Sequence, residues 1–68
     1  MSVTFIDVVT LLEAPNDGSP FYVVESNKGK HYVSGLGGRA ARGLKPGTKL
    51  KLYRSQSAQM TALHLERA

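Results

Sequence analysis

Apolar and polar residues alternate most regularly in segment 48–54. Leu50 and Leu52 fall on one face of an extended chain, because successive side chains of a strand point to opposite sides of the sheet. The opposite face carries Lys49, Lys51 and Tyr53. This pattern predicts a strand with one buried face and one face in water.

Three earlier segments also have the composition of strands. Residues 3–13 are rich in Val, Ile, Thr and Phe, and apolar residues on both faces are expected where a strand bends through the core of a small barrel. Residues 21–26 and 30–34 flank the sequence Asn-Lys-Gly, in which Gly29 can adopt the positive φ that a three-residue hairpin requires at its bulge. We therefore expect these two segments to form an antiparallel hairpin.

The last segment, residues 60–66, also alternates: one face carries Thr61, Leu63 and Leu65, and the other carries Met60, Ala62, His64 and Glu66. We predict a strand here, paired with segment 48–54 across a short polar loop. A helix is the competing interpretation, because Met, Ala, Leu, Glu and Gln are good helix formers.

Residues 35–47, which read GLGGRAARGLKPG, connect the third predicted strand to the fourth. The first three glycines give the chain freedom to turn, and residues 39–42 can form one helical turn. Gly43 can end that turn in the left-handed conformation. The side chains of Leu36 and Leu44 are then predicted to cover the end of the barrel and pack against its core.

The same connector contains partial matches to nucleotide-binding motifs. GLGGRA fits G-x-G-x-x-A, but the glycines and proline that follow leave no room for a crossover helix, and no acidic residue lies between Glu25 and Glu66. The P-loop pattern fails because Leu44 separates Gly43 from Lys45. We expect no nucleotide cofactor.

The predicted order is three strands, a glycine-rich connector with a short helical turn, and two strands. We predict an all-β fold in which residues 1–68 form a single small five-stranded barrel. This order resembles the partly open barrel of the oligonucleotide/oligosaccharide-binding (OB) type, and an SH3-like barrel is the alternative.

Charge is distributed unevenly along the chain. Residues 1–26 contain four acids and no Lys or Arg, residues 27–54 contain eight bases and no acid, and the remainder contains one of each, which gives the net charge of +4. This asymmetry favours an anionic partner, although acidic and basic strands can also pair across one sheet.

We predict a protein that binds single-stranded DNA or RNA through phosphate contacts and aromatic stacking. An arginine guanidinium group can donate two parallel hydrogen bonds to phosphate oxygens. Tyrosines interspersed with lysines are typical of surfaces that bind single strands. The candidate nucleic-acid-binding residues are Lys28, Lys30, Tyr32, Arg39, Arg42, Lys45, Lys49, Lys51, Tyr53 and Arg54. The alternative is a protein-interaction or inhibitor module that docks on an acidic protein surface or forms a homodimer through an edge strand.

Little in the sequence indicates catalysis or metal binding. There is no cysteine, and we interpret His31 and His64 as ordinary strand residues because no carboxylates cluster beside them. Ser19, Ser26 and Ser34 have no predicted base partner. We expect no enzyme activity, no metal and no cofactor.

The apolar run at the start of the chain is not typical of a targeting segment. It has no Lys or Arg before it, and Asp7 interrupts it. We therefore expect neither a secretory signal nor a membrane span, and we expect a cytoplasmic protein.

Overall fold

The structure, a computed structural model, describes residues 2–68. Five antiparallel strands form one sheet that curls into a half-barrel, with one 3₁₀ turn between the third and fourth strands. The elements are β1 (Ser2–Glu13), β2 (Phe21–Ser26), β3 (Gly29–Ser34), the 3₁₀ turn (Arg39–Ala41), β4 (Lys49–Gln56) and β5 (Thr61–Arg67). The all-β prediction is confirmed, and the last segment is a strand and not a helix.

The strand order across the sheet is β3-β2-β1-β4-β5. The long strand β1 lies at the centre, where its last residues pair with β2 and the rest of its length pairs with β4. The register of β1 shifts between Phe5 and Asp7 against β4, and between Leu11 and Glu13 against β2. Such bulges bend a strand and increase its twist, which lets β1 follow the curl of the sheet.

The core lies on the concave face of the sheet. Leu50 and Leu52 are fully buried there, as their alternation predicted, and Leu65 packs beside them from β5. Other core side chains are Val9, Leu11, Tyr22, Val24, Val33 and Ala41. No polar or charged residue among residues 2–68 is buried, so burial of apolar area supplies the main stabilisation of the fold.

The hairpin between β2 and β3 differs from its prediction in one detail. Gly29 has a φ of +123°, which confirms the expected positive value. However, Gly29 pairs directly with Ser26 and the register of the hairpin is unbroken, so the loop has two residues and no bulge.

The connector closes the gap between the edge strands β3 and β5. The backbone N–H of Leu65 donates to Gly37 O at 2.8 Å, and Ala41 of the 3₁₀ turn is fully buried. A Cβ on Gly37 would collide with the carbonyl of Leu63, and one on Gly38 would collide with the ring of Tyr22. These two glycines are therefore required for close packing, in addition to any freedom they give the turn.

Two connector predictions have different outcomes. Gly43 has a φ of +80° and follows the helical turn, as expected, and Leu44 packs against the core. The prediction for Leu36 is wrong, because its side chain is 79% exposed. The N–H of Gly38 bonds to Ser34 O, and this tight turn brings the glycines, and not Leu36, against the core.

Candidate nucleic-acid interface

The convex face of the sheet, opposite the core, carries a row of polar residues that crosses four strands. Lys49 on β4 lies opposite Thr10 on β1, Thr10 lies opposite Glu25 on β2, and Glu25 lies opposite Lys30 on β3. Lys49 Nζ donates to Thr10 Oγ1 at 2.6 Å. The register thus brings basic side chains of β3 and β4, which β2 and β1 separate in the sheet, onto one surface.

We call Lys30, Lys49 and Lys51 the lysine band. Lys51 belongs to it because it is two residues from Lys49 on the same face of β4. Acids lie directly across the strands from two of these lysines, Glu25 from Lys30 and Glu66 from Lys51. Even so, within residues 2–68 no Lys or Arg nitrogen comes within 4.0 Å of a carboxylate oxygen. The ammonium groups of the band are exposed and free to meet an external anion.

An aromatic cluster borders the lysine band on one side. The ring of Phe5 meets Tyr53 edge-on, with centroids 5.5 Å apart, and His64 stacks on Tyr53 at 5.3 Å with an angle of 9° between the planes. Phe5 is 51% exposed, whereas Tyr53 is half-buried because His64 and Phe5 cover it. Phe5 therefore offers more free ring surface than Tyr53.

The imidazole of His64 is held in place by two neighbours. Its Nδ1 is 3.2 Å from Ser55 Oγ, and its Nε2 is 3.8 Å from Glu66 Oε2. These contacts fix the ring parallel to Tyr53. Sequence patterns identified His64 only as a strand residue. Alternation along β5 places Glu66 on the same face as His64, but the contacts of His64 with Ser55 and Tyr53 follow only from the pairing of β4 with β5.

A second aromatic pair borders the lysine band on the other side. Phe21 on β2 meets Tyr32 on β3 edge-on at 6.4 Å, and the two side chains are 41% and 59% exposed. Tyr32 points away from the core, and His31 points toward it. Phe21 and Phe5 were not among the predicted site residues, although the apolar residues on both faces of β1 were a signal for Phe5.

The two tyrosines predicted for base stacking do not form one platform. Three strand spacings separate Tyr53 from Tyr32, which is roughly 14 Å across the sheet. Their rows are also offset by six residues along the strands, which adds roughly 20 Å in that direction. The convex face therefore has two aromatic sites with the lysine band between them.

Other predicted basic residues lie elsewhere. Arg54 lies opposite Leu63, so it projects from the core side of the sheet and not from the convex face. Lys28 is in the two-residue turn of the hairpin, and Lys45 is in the loop before β4. Arg39 and Arg42 lie at the 3₁₀ turn, which packs against β5.

One serine has an unexpected neighbour. Ser26 Oγ lies 3.2 Å from His31 Nε2, whereas the sequence indicated no base partner for Ser26. The two residues meet because the hairpin register places His31 opposite Val24, on the same face as Ser26. No carboxylate within 4.0 Å of the ring of His31 orients it among the described residues, so the contact lacks the third group of a nucleophilic triad.

Residues 2–68 contain no group of three or more His, Asp or Glu side chains that could hold a metal ion. In the same part of the chain there is no cleft or cavity large enough to form a pocket. No helix among these residues has the length and apolar character needed to cross a membrane.

Comparison with protein-family models, with curated proteins and with solved structures found no match to this chain.

Proposed function

We propose that this protein binds single-stranded DNA or RNA on the convex face of its sheet and carries out no chemistry. The observation that carries the proposal is the arrangement on that face, where exposed aromatic rings stand on both sides of unpaired lysines. Single-strand binding proteins combine these two elements, since aromatic rings stack on bases and cations follow the backbone phosphates.

The fold gives a second line of support. We propose that the barrel is of the OB type, because the connector turn lies between β3 and β4 and the central β1 pairs with both β2 and β4. OB folds bind oligonucleotides on the face of their second and third strands. In this chain that face carries Phe21, Tyr32 and Lys30.

The proposed contacts have expected magnitudes. Stacking of a base on an aromatic side chain contributes about 1–3 kcal/mol, judged by alanine substitution. If about five phosphates are neutralised, the logarithm of affinity should fall with the logarithm of salt concentration with a slope of roughly −3.5. The stacking contribution and the salt slope are both measurable by the same kind of titration.

The direct experiment is fluorescence anisotropy with labelled single-stranded and duplex DNA and RNA at several salt concentrations. We expect single strands to bind more tightly than duplex, with the steep salt dependence given above. An affinity that does not change with salt concentration, or no binding to any oligonucleotide at low salt, would refute the proposal.

Lys51 and Arg54 provide a matched pair for the phosphate contacts. They lie three residues apart on β4, each carries one positive charge, and they project from opposite faces of the sheet. Lys51→Ala should reduce the magnitude of the salt slope by about 0.7, the value for one phosphate contact on a single strand. Arg54→Ala should change the slope much less. Equal effects would show that net charge, and not the convex face, governs binding.

The alternative function, a protein-interaction module, also has a specific observation in its favour. Val3, Phe5 and Val8 form an exposed apolar strip along β1, with 56%, 51% and 46% of their surfaces in water. Such a strip beside lysines could meet a protein with an apolar and acidic surface, or a second copy of the chain. Tyr53→Ala discriminates between the two functions. A loss of oligonucleotide affinity beyond any loss of stability favours nucleic acid, and protein docking does not require base stacking.

A further inference from the structure

Arginines from two separate parts of the chain lie at the 3₁₀ turn, since Arg39 and Arg42 stand at its two ends and Arg67 of β5 bonds to its backbone. Arg39 begins the turn and Arg42 caps its C-terminal end, where the N–H of Arg42 donates to Arg39 O at 3.1 Å. In 3₁₀ geometry, side chains three residues apart lie on the same side of the turn. Both arginines are exposed, while Ala41 between them is fully buried and anchors the turn to the core.

Arg67 joins this pair from the end of β5. Its Nε donates to the carbonyl of Ala40, at the middle of the turn, with a distance of 3.4 Å. A guanidinium has five N–H donors, so four remain for another partner. Glu66 does not neutralise Arg67, because neighbouring strand residues point to opposite faces and Glu66 contacts His64 on the convex face.

The sequence alone concealed this cluster, because Arg67 and Glu66 cancel in the net charge of the last segment. In the structure the three arginines share one end of the half-barrel. None of them has a carboxylate oxygen within 4.0 Å among residues 2–68. Three exposed arginines on one turn and its neighbouring strand therefore concentrate positive charge without a carboxylate partner within 4.0 Å among these residues.

The negative charge of a phosphate monoester complements these three positive charges better than that of a backbone phosphodiester. A phosphodiester carries one negative charge, whereas a monoester carries about −1.5 to −2 at neutral pH and has three strong acceptor oxygens. One arginine guanidinium group can donate two parallel hydrogen bonds to two such oxygens. We infer that Arg39, Arg42 and Arg67 bind the terminal phosphate of a nucleic-acid strand, an inference that rests on the proposed function.

The test uses oligonucleotides of one sequence whose ends carry a 5′-phosphate, a 3′-phosphate or only hydroxyl groups. Their affinities are measured by isothermal titration calorimetry, without labels that would block an end. We expect one of the phosphorylated forms to bind about tenfold more tightly than the hydroxyl form, the factor that one charge-assisted hydrogen bond gives. Equal affinities for all three forms would overturn the inference and leave the proposed function standing.

Three variants of the cluster and one control variant assign the effect to the cluster. Arg67→Ala should remove the preference for a terminal phosphate. Arg67→Lys should retain only part of this preference, because a lysine keeps the positive charge but cannot donate two parallel hydrogen bonds to the phosphate. Arg39→Ala should also reduce the preference, and this variant removes no hydrogen bond, because the Arg39 side chain makes none among residues 2–68. Arg54→Ala, which removes an equal charge elsewhere, should keep the preference. Thermal unfolding of each variant shows whether the fold is intact.

A separate titration with inorganic phosphate distinguishes this inference from the proposed function. Nuclear magnetic resonance signals of the arginine Nε–H groups report binding at the cluster directly. If no oligonucleotide binds but phosphate shifts these signals in the natural chain and not in the Arg67→Ala variant, the anion site stands and the proposed function fails. If phosphate leaves the signals unchanged and no end preference exists, the inference is wrong.

Discussion

The two halves of β1 place similar side chains in opposite surroundings. In the second half, Val9 and Leu11 are 1% and 0% exposed and form part of the core. In the first half, Val3 and Phe5 are more than half exposed on the convex face. Burial in the second half stabilises the fold, whereas the exposed apolar surface of the first half does not, and this surface is therefore available for recognition.

The bulge in β1 causes this difference. Val3, Phe5, Val9 and Leu11 are all odd-numbered, so an unbroken strand would place them on one face. Between Phe5 and Asp7, β1 advances two residues while β4 advances one. The extra residue moves Val3 and Phe5 to the convex face and leaves Val9 and Leu11 in the core.

The largest expected effect tests the buried half. Leu11→Ala should lower the free energy of unfolding by about 2–5 kcal/mol, because it removes buried methyl groups and leaves a cavity. Leu36→Ala is the matched control, because Leu36 is 79% exposed and the change should be within about 0.5 kcal/mol. Urea denaturation followed by circular dichroism measures both. Similar losses for the two variants would contradict the assignment of Leu11 to the core.

These positions also show what could be predicted from the sequence. The alternation of Leu50 and Leu52 with lysines was sufficient to identify both the strand and its buried face. The sequence of β1 was sufficient to predict a bent strand with apolar residues on both faces. It did not predict which apolar residues would lie on which face, because that depends on the position of the bulge in the pairing with β4.

The candidate site was less predictable than the fold for a similar reason. Lys49 and Lys51 were correctly placed on one face by their spacing within a single strand. Phe5 and Lys30 come from other strands, and only the register of pairing places them on the same face as these lysines. Arg54 was included on charge alone, and strand alternation places it on the other face.

The second prediction concerns the connector that closes the core faced by the second half of β1. Gly37→Ala should cost about 1–3 kcal/mol of unfolding free energy, because its Cβ would collide with the backbone carbonyl of Leu63. Gly35→Ala is the matched control, since nothing lies within 4 Å of its Cβ position and its φ is not positive. Thermal unfolding of the two variants provides the measurement. An unchanged melting temperature for Gly37→Ala would mean that the connector does not pack tightly on β5.

The third prediction tests the exposed half of β1. Phe5→Ala should weaken single-strand binding by about 1–3 kcal/mol, since Phe5 offers the freest ring of its cluster. Its effect on stability should be smaller than that of Leu11→Ala, because about half of the side chain is already in water. Anisotropy titrations and urea denaturation on the same samples separate the two quantities. If Phe5→Ala destabilises the fold as strongly as Leu11→Ala, the two halves of β1 do not have different roles.

The smallest effect concerns the bulge itself. Asp7 lies at the bulge, and its Oδ1 accepts a hydrogen bond from the N–H of Val8 at 2.8 Å. This bond satisfies a backbone donor next to the bulge, so Asp7→Ala should cost about 1 kcal/mol of unfolding free energy. Asp7→Asn retains an acceptor oxygen and should cost less.

The Asp7→Ala variant also tests whether the bulge holds the exposed half of β1 in position. If the bulge holds Phe5 on the convex face, Asp7→Ala should increase hydrogen exchange at Val8 and at the neighbouring ladder with β4, while exchange at Leu11 stays slow. The half of β1 that forms the core would then be unaffected by a change that loosens the other half. Equal acceleration along the whole strand would show that β1 opens as one unit, and that its bulge does not divide it into a stabilising half and a recognition half.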